Sequence, residues 1–167
     1  NIYLLREIVD DDGEGTICGY AYNFDISPRL FVKNSCYLNG STFIHELGHS
    51  FSLLHTHSTS RGAELVRRSN CREAGDLLCD TPADPFEQSS ILNATPEELE
   101  LIAQNMLDTS FFSANCEFIY ELRDPNGAYY QPDMGNIMSN YPCKCGFTQD
   151  QYRLMVETIL KSDIKHF

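Results

Sequence analysis

Three histidines and a glutamate between residues 45 and 55 carry the strongest chemical signal of this sequence. The stretch from His45 to His55 reads His-Glu-Leu-Gly-His-Ser-Phe-Ser-Leu-Leu-His. Residues four apart project from the same face of an α-helix, so His45 and His49 can reach one metal ion. Imidazole nitrogen suits zinc, and a hydrolytic zinc site takes three protein ligands and a water. We expect His55 to be the third ligand, and because it lies six residues after His49, the chain must turn after about Ser52.

Glu46 directly follows the first of these histidines and can stand beside the metal without binding it. A carboxylate in that place can take a proton from a water that attacks a carbonyl. The alternative for a bare H-E-x-x-H pattern is a buried helix with two satisfied histidines. The third histidine favours the metal site, because the longer pattern fixes more positions. His57 is either a spare ligand or, as we expect, a solvated side chain in an exposed loop over residues 56–70.

Short strands and a turn must position this stretch. Apolar periodicity and turn formers predict three strands, over residues 1–9, 17–24 and 30–32. The metal-binding helix is expected from about Thr42 to Leu53, capped by Asn39 or Ser41. Capping-box patterns begin two scaffold helices near residues 95 and 148. The last helix is expected to pack against the part of the chain below the metal, through an apolar face of Tyr152, Met155, Val156, Ile159 and Leu160.

The composition limits the class of protein. The 167 residues, 42% of them hydrophobic, fit one domain with a sizeable core. No apolar run reaches the roughly 20 residues that a membrane-spanning helix needs. The formal charge of −12 argues against a nucleic-acid partner, since phosphate binding requires a basic surface. An acidic surface fits calcium or cationic substrates, or simply keeps the protein in solution.

Seven cysteines are a high count for this length, and they favour disulfides in an oxidising compartment. We therefore expect a secreted or extracellular protein, with the periplasm or the cell surface as alternatives. Spacing does not determine connectivity. We expect Cys18 to pair with Cys36 and the odd cysteine to stay unpaired within the chain. Cys71 and Cys79 are expected to pair with two of the remaining three, which are Cys116, Cys143 and Cys145.

The segment from Cys71 to Pro85 is dense in carboxylates, turn formers and cysteines. Oxygen ligands on a tight loop suit calcium. The spacing matches no EF-hand, so an ordinary Asp/Pro turn is the alternative for this segment.

Three separated segments together carry a family resemblance. They are the histidine stretch from His45 to His57, the loop Gly75-Asp76-Leu77-Leu78-Cys79-Asp80-Thr81-Pro82, and the stretch Asn136-Ile137-Met138-Ser139-Asn140-Tyr141. In this order they resemble the pappalysin branch of the metzincin zinc metallopeptidases, and the resemblance covers about residues 1–160. It implies an α+β fold in one catalytic domain, 1–167. An upper subdomain of about 1–55 would hold a twisted sheet and the active-site helix. A lower, irregular subdomain of about 56–167 would end in the C-terminal helix.

The resemblance also implies roles for single residues. Met138 would lie beneath the three histidines as packing. Structural calcium would be held near the Gly-Asp loop, with Asp76, Asp80 and Thr81 as candidate ligands. A peptide substrate would lie along the edge strand of the upper sheet, for which the candidates are Gly19, Tyr20, Ala21 and Tyr22.

The sequence departs from the family pattern in three places. Ser52 stands where the family has glycine, so we expect a serine in a left-handed turn at a cost on the order of 1 kcal/mol. The tyrosine that assists catalysis in the family lies two residues after the methionine, whereas Tyr141 lies three residues after Met138. The strand, helix and strand that open the family domain are absent from this sequence.

The hypothesis that follows is a secreted zinc endopeptidase with Glu46 as its base. Zn²⁺ would be its cofactor, with Ca²⁺ as a second metal. The expected partners are a protein or peptide substrate and a pro-segment removed on maturation. The alternative is a zinc-stabilised binding or scaffold domain that has lost catalysis, which the three departures favour.

Overall fold

The computed structural model describes residues 1–9, 17–22, 29–37, 40–85, 115–119, 121–141 and 143–162. By its contacts the chain divides into two compact units. The first unit comprises Asn1–Leu54 and Gln151–Phe167, and the second comprises His55–Asp150. The described elements are three strands and three helices, which confirms the expected α+β class. None of the described helices is both long and apolar enough to cross a membrane. The helix predicted near residue 95 lies outside the described residues.

A three-stranded sheet forms the framework of the first unit. Its strands are β1 (Ile2–Leu5), β2 (Gly19–Ala21) and β3 (Leu30–Lys33), in the order β1-β3-β2. β1 runs parallel to β3 and β2 runs antiparallel to it. All three predicted strands are present but shorter than expected. Among the described residues, β2 therefore lies at one edge of the sheet, as the sequence predicted for the segment that contains it.

The two faces of β3 differ in burial, as the two-residue period of a strand requires. Leu30 and Val32 are buried, whereas Phe31 and Lys33 are half-buried. Tyr3 stacks on Phe31 with ring centroids 4.9 Å apart. Gly19 is paired with Val32 in the register of β2 and β3, and an added Cβ on Gly19 would meet Glu46. The face of Val32 is therefore the face that carries the metal-binding helix.

Two helices follow the sheet directly. The single turn α1 (Asn34–Tyr37) continues from β3, and α2 (Ser41–Ser50) is the predicted metal-binding helix. The predicted cap was wrong for Ser41, which is the first helical residue, and Asn39 lies outside the described residues. Gly40 occupies the N-cap position with φ 66°, and no side chain caps the helix. The chain enters α2 through a left-handed turn, which glycine adopts without steric cost.

The last helix, α3 (Gln149–Lys161), differs from the expectation in its packing. Its residues from Gln151 onward group with the first unit rather than the lower part of the chain. Its buried residues are Gln151 and Thr158, and the Thr158 hydroxyl donates to the Phe51 carbonyl at 3.1 Å. Four residues of the predicted apolar face are exposed: Tyr152, Val156, Ile159 and Leu160. Polar contacts, rather than the apolar stripe, therefore seat this helix.

The second unit is irregular, as expected, and loops with few regular hydrogen-bond ladders build it. Its described residues contain two isolated β-bridges, Arg123 with Tyr129 and Asn136 with Gly146. Polar side chains replace ladders as partners of the backbone. The Asp124 carboxylate, for instance, accepts backbone N–H groups of Val66, Asn126 and Ala128. Buried acceptors of this kind satisfy loop amides that no strand neighbour reaches.

Three disulfides join six of the seven cysteines. Cys18 pairs with Cys36 in the first unit, which confirms that prediction. In the second unit the prediction was wrong for Cys71 and Cys79, which pair with each other across a tight loop with Cα atoms 5.1 Å apart. The third bridge joins Cys116 and Cys143. Cys145 is the unpaired cysteine and is exposed.

Candidate metal centre

His45, His49 and His55 are positioned to hold one metal ion. Each offers a ring nitrogen, and these ligand atoms all lie within 4.8 Å of one another. His45 is buried and the other two are half-buried. The spacing of four on α2 brings the first two rings together, with centroids 4.8 Å apart at an interplanar angle of 90°. Three convergent imidazoles are a donor set that borderline metals such as zinc prefer, so the residues present fit the metal that the sequence predicts.

The end of α2 turns the chain toward the third histidine. Phe51 is the C-cap, and Ser52 follows with φ 70°, in the left-handed region. Ser52 N–H donates to the His49 carbonyl at 2.9 Å, and Leu53 N–H donates to the Gly48 carbonyl at 3.1 Å. This pair of bonds is a Schellman motif, in which glycine usually occupies the left-handed position. The structure therefore confirms that a serine accepts the left-handed turn after the helix.

One hydrogen bond determines which nitrogen of His49 faces the metal position. His49 Nδ1 lies 2.9 Å from the Leu53 carbonyl oxygen. A carbonyl oxygen can only accept, so Nδ1 must carry the proton and Nε2 carries the lone pair that can bind a metal. Metal-binding histidines commonly donate their other N–H to such a carbonyl, which fixes the ring orientation. Thus the turn after the helix also orients its second ligand.

Glu46 is buried against the edge strand β2. An added Cβ on Gly19 would lie 2.4 Å from Glu46 Cγ and 2.7 Å from both Cδ and Oε1. Real Cβ atoms do not approach other atoms so closely, so only glycine leaves room for this carboxylate. Glu46 is 7% exposed. The absence of a side chain at position 19 therefore seats the carboxylate beside the first histidine and against the strand edge.

The candidate substrate strand has one face toward this carboxylate and one toward solvent. Gly19 and Ala21 are half-buried, whereas Tyr20 is exposed and its ring packs edge-on against Tyr22 at 5.1 Å. Tyr22 follows the end of the strand and is also exposed. The four residues thus lie together at the sheet edge that passes Glu46.

Residues after His55 are buried, contrary to the exposed loop that the sequence predicted. Thr56 is 4% exposed, and its N–H donates to the Met138 carbonyl at 3.1 Å. His57 was predicted to be solvated, but it is fully buried, and its ring stacks on His55 with centroids 4.7 Å apart. Stacking on a neighbouring ring makes an interior site favourable for an aromatic side chain. Met138 itself is fully buried, in a turn where Asn136 accepts its N–H at 2.9 Å.

Tyr141 is placed by a buried carboxylate. Its hydroxyl donates to Asp84 Oδ1 at 2.8 Å, and its side chain is 3% exposed. Burial raises the pKa of Tyr141 above its usual range, and the charge of Asp84 and the hydrogen bond to it raise it further. The hydroxyl is therefore held as a neutral donor to Asp84.

The three calcium candidates fall into two environments. Asp76 and Thr81 lie together, because Asp76 Oδ1 accepts the Thr81 hydroxyl and the Leu78 N–H, both at 2.9 Å. Asp80 instead stands at the start of α3, where its two oxygens accept the Thr148 hydroxyl at 2.9 Å and the Asp150 N–H at 2.8 Å. A carboxylate there satisfies a backbone donor at the N-terminus of the helix.

A carboxylate that the sequence did not indicate joins Asp76. Glu64 is 1% exposed, and neither of its oxygens has a hydrogen-bond partner within the described residues. Asp76 Oδ2 is likewise buried and without such a partner there. Burial, followed by the charge of Asp76, raises the pKa of Glu64 from 4.5 to about 8. Burial is also the main cause that raises the pKa of Asp76 from 3.8 to about 6. Buried carboxylate oxygens without partners are costly unless a cation neutralises them.

Comparison with known proteins gives no relative. No protein-family model, curated protein or solved structure matches the chain. The site is therefore described from its own geometry. Sequence reasoning did not identify Thr56, Glu64 or Asp84 as parts of it, since their partners lie far along the chain. Asp84, for example, is 28 residues from Thr56 and 57 from Tyr141.

Proposed function

We propose that this chain is a zinc-dependent endopeptidase that hydrolyses peptide bonds in a protein or peptide substrate. The observation that carries the proposal is the convergence of three imidazoles in one stretch whose second residue, Glu46, is packed against an edge strand. An inert zinc site does not require a buried carboxylate beside its first ligand. The resemblance of three sequence segments to the pappalysin branch of the metzincins supports the same reaction.

Each residue of the stretch has a distinct role in this proposal. His45, His49 and His55 hold the metal, and His49 does so through Nε2. Zinc bound there would polarise the scissile carbonyl and lower the pKa of a bound water to about 7. Glu46 accepts the proton of the attacking water and then delivers it to the leaving amine.

The substrate would pair with β2 as an added strand. Such β-augmentation uses the unpaired backbone groups of an edge strand, which β2 offers at Gly19 to Ala21. The formal charge of −12 would favour basic side chains near the scissile bond. The three disulfides support a secreted or extracellular site of action.

Replacement of Glu46 tests the proposal. The zinc-loaded protein should cleave casein, gelatin or a peptide library, and a zinc chelator should abolish cleavage. E46Q should bind one zinc per chain but lose activity by about 100-fold to 10,000-fold, the usual contribution of a positioned acid or base. Zinc content is measured by atomic emission on the same samples. Full activity of zinc-loaded E46Q would refute the mechanism. Zinc binding without cleavage by the wild-type protein would favour the scaffold alternative.

We propose in addition that Glu64 and Asp76 hold a calcium ion that stabilises the second unit. Three buried carboxylate oxygens without partners in the described structure support this assignment, and hard oxygen ligands suit calcium. A φ of 66° at Gly75 and an open Cα there allow the loop to fold over Glu64, since an added Cβ would lie 2.7 Å from Glu64 Oε2.

Calorimetric titration with calcium tests this site directly. The chelator-treated protein should bind calcium, and E64Q should lose that binding. D133N is the matched control, because the Asp133 carboxylate accepts only the nearby Gly135 N–H among the described bonds. Equal calcium binding by E64Q and wild type would contradict the assignment.

A further inference from the structure

The third ligand differs from the other two in how it is held. The i, i+4 geometry of α2 positions His45 and His49, whereas His55 lies beyond the end of the helix, outside any regular element. Its place must therefore be fixed by the residues that follow it and by their partners. A ligand on an irregular segment loses more conformational entropy on metal binding than one on a helix, unless neighbouring contacts already hold it.

Asp84 holds the backbone immediately after His55. Its side chain is 1% exposed, and its Oδ2 accepts the Thr56 hydroxyl at 2.7 Å. Its Oδ1 accepts the Tyr141 hydroxyl at 2.8 Å. One buried carboxylate thus joins the residue after the ligand to the end of the turn that contains Met138. Hydrogen bonds to an ionised carboxylate are shorter and stronger than neutral ones, and a water-poor interior strengthens them further.

A second contact joins the same two segments through the backbone. Thr56 N–H donates to the Met138 carbonyl, so Thr56 is held at both its amide and its hydroxyl. Rotation of the segment about its own axis would break one of these bonds. The ring of His57 then covers one face of the His55 ring at an interplanar angle of 16°. The backbone and the ring plane of the third ligand are therefore both restrained.

We propose that Asp84 is a positioning residue for the metal ligand His55, and that it acts through the hydroxyls of Thr56 and Tyr141. The inference rests on the proposed metal centre but not on catalysis. It gives Tyr141 a role as a donor to Asp84. A partner in the outer shell of a metal site commonly changes metal affinity by 10-fold to 100-fold when it is replaced.

Metal affinity and the spectrum of a cobalt-substituted protein test the proposal. The variants are D84N, Y141F, which removes a single hydroxyl, and T56V. The conservative T56S keeps the hydroxyl and should restore wild-type behaviour. Zinc affinity, measured by competition with a chromophoric chelator, should fall by about 10-fold to 100-fold in D84N and T56V, and less in Y141F. The visible absorption bands of bound Co²⁺ should change in D84N and T56V, because they report ligand geometry directly.

D124N is the matched control for loss of a buried aspartate. Asp124 is 2% exposed and belongs to the same unit, but its carboxylate holds backbone amides at residues 66, 126 and 128. D124N should lower the melting temperature and leave zinc affinity and the Co²⁺ bands unchanged.

The possible results separate the two proposals. Wild-type zinc affinity and Co²⁺ bands in D84N would overturn the positioning role while leaving the proposed function intact. If D84N fails to fold, Y141F and T56V with wild-type bands would overturn it equally. A wild-type protein that takes up neither zinc nor cobalt would refute the proposed function itself.

Discussion

Gly19 is the residue on which the place of Glu46 depends most directly. Its missing side chain leaves the space that the carboxylate occupies, and the first atom of any side chain would lie 2.4 Å from Glu46 Cγ. Because Cγ is near the backbone, a simple rotation of the carboxylate end cannot relieve the clash. The three histidines do not share this contact.

We predict that G19A loses peptidase activity while it keeps its zinc. Displacement of a catalytic group by about 1 Å can lower a rate by about 100-fold, and a fall of this size in kcat/KM is expected. The measurement is steady-state cleavage of a peptide substrate, with zinc content determined on the same sample.

G146A is the control for G19A. A Cβ at Gly146 meets no atom within 4 Å, so this variant should keep wild-type activity. Unchanged kcat/KM in zinc-loaded G19A would show that Glu46 does not need the place it has here.

At this scale the sequence predicts residues that are close in the chain and fails for those that are distant. The spacing of His45 and His49 determines their common face once a helix is assumed, and His55 follows from the longer pattern. Glu64 and Asp84 carry no comparable signal, because their partners are brought near only by the folding of irregular loops. His57 was misjudged for the same reason, since no local pattern reveals that its ring would be covered.

At the scale of elements, the end of α2 determines whether three ligands can meet. The two bonds of the Schellman motif stop the helix and reverse the chain, and the His49 ring then donates to Leu53 within the same turn. The left-handed residue of this motif is Ser52, with φ 70°. A serine there is strained relative to glycine.

We predict that S52G stabilises the protein. Relief of the strain is partly offset by the greater freedom of glycine in the unfolded chain, so the free energy of unfolding should rise by up to about 1 kcal/mol. Urea denaturation of the zinc-free protein measures the change.

S69G provides the opposite case. Ser69 is exposed in a loop and has no positive φ, so this variant should lose a few tenths of a kcal/mol, roughly. A less stable S52G would mean that contacts of the serine side chain outweigh the backbone strain.

The sequence predicted the existence of the elements better than their limits or partners. All three strands and two of the predicted helices are present among the described residues, yet the cap of α2 is Gly40. The apolar period of α3 indicated a buried face, but Thr158 and Gln151 are buried instead. Periodicity reports which residues share a face, and it does not report which face finds a partner.

At the scale of the whole molecule, two buried carboxyls link stability to pH and to calcium. The pKa of Glu64 is raised to about 8 and that of Asp76 to about 6. Between their ordinary values and these raised values, the folded chain binds more protons than the unfolded chain. The contribution of these groups to stability is therefore largest at low pH and is lost as pH rises toward 8.

We predict that the calcium-free protein melts at a lower temperature at pH 8.5 than at pH 5.5. A pKa difference of one corresponds to about 1.4 kcal/mol, and 1 kcal/mol moves the melting temperature of a chain of this size by about 2–4 °C. The contribution of these carboxyls is therefore a fall of several degrees. Thermal melts in chelator over this pH range measure it.

E64Q isolates this contribution from those of other groups. The variant should show a smaller fall between the two pH values, and calcium should raise the melting temperature of the wild type mainly at pH 8.5. If E64Q and the wild type lose the same number of degrees, Glu64 is not the group responsible.

The bridge between Cys18 and Cys36 has a consequence for where the chain could be active. Cys18 directly precedes Gly19, and its bridge ties β2 to the turn of helix after β3. A newly made chain in a reducing cytosol lacks this tie, and a three-residue pairing alone then holds the strand against Glu46. The proposed enzyme would be slack during synthesis and taut only after export, which would spare the proteins of the cell that makes it.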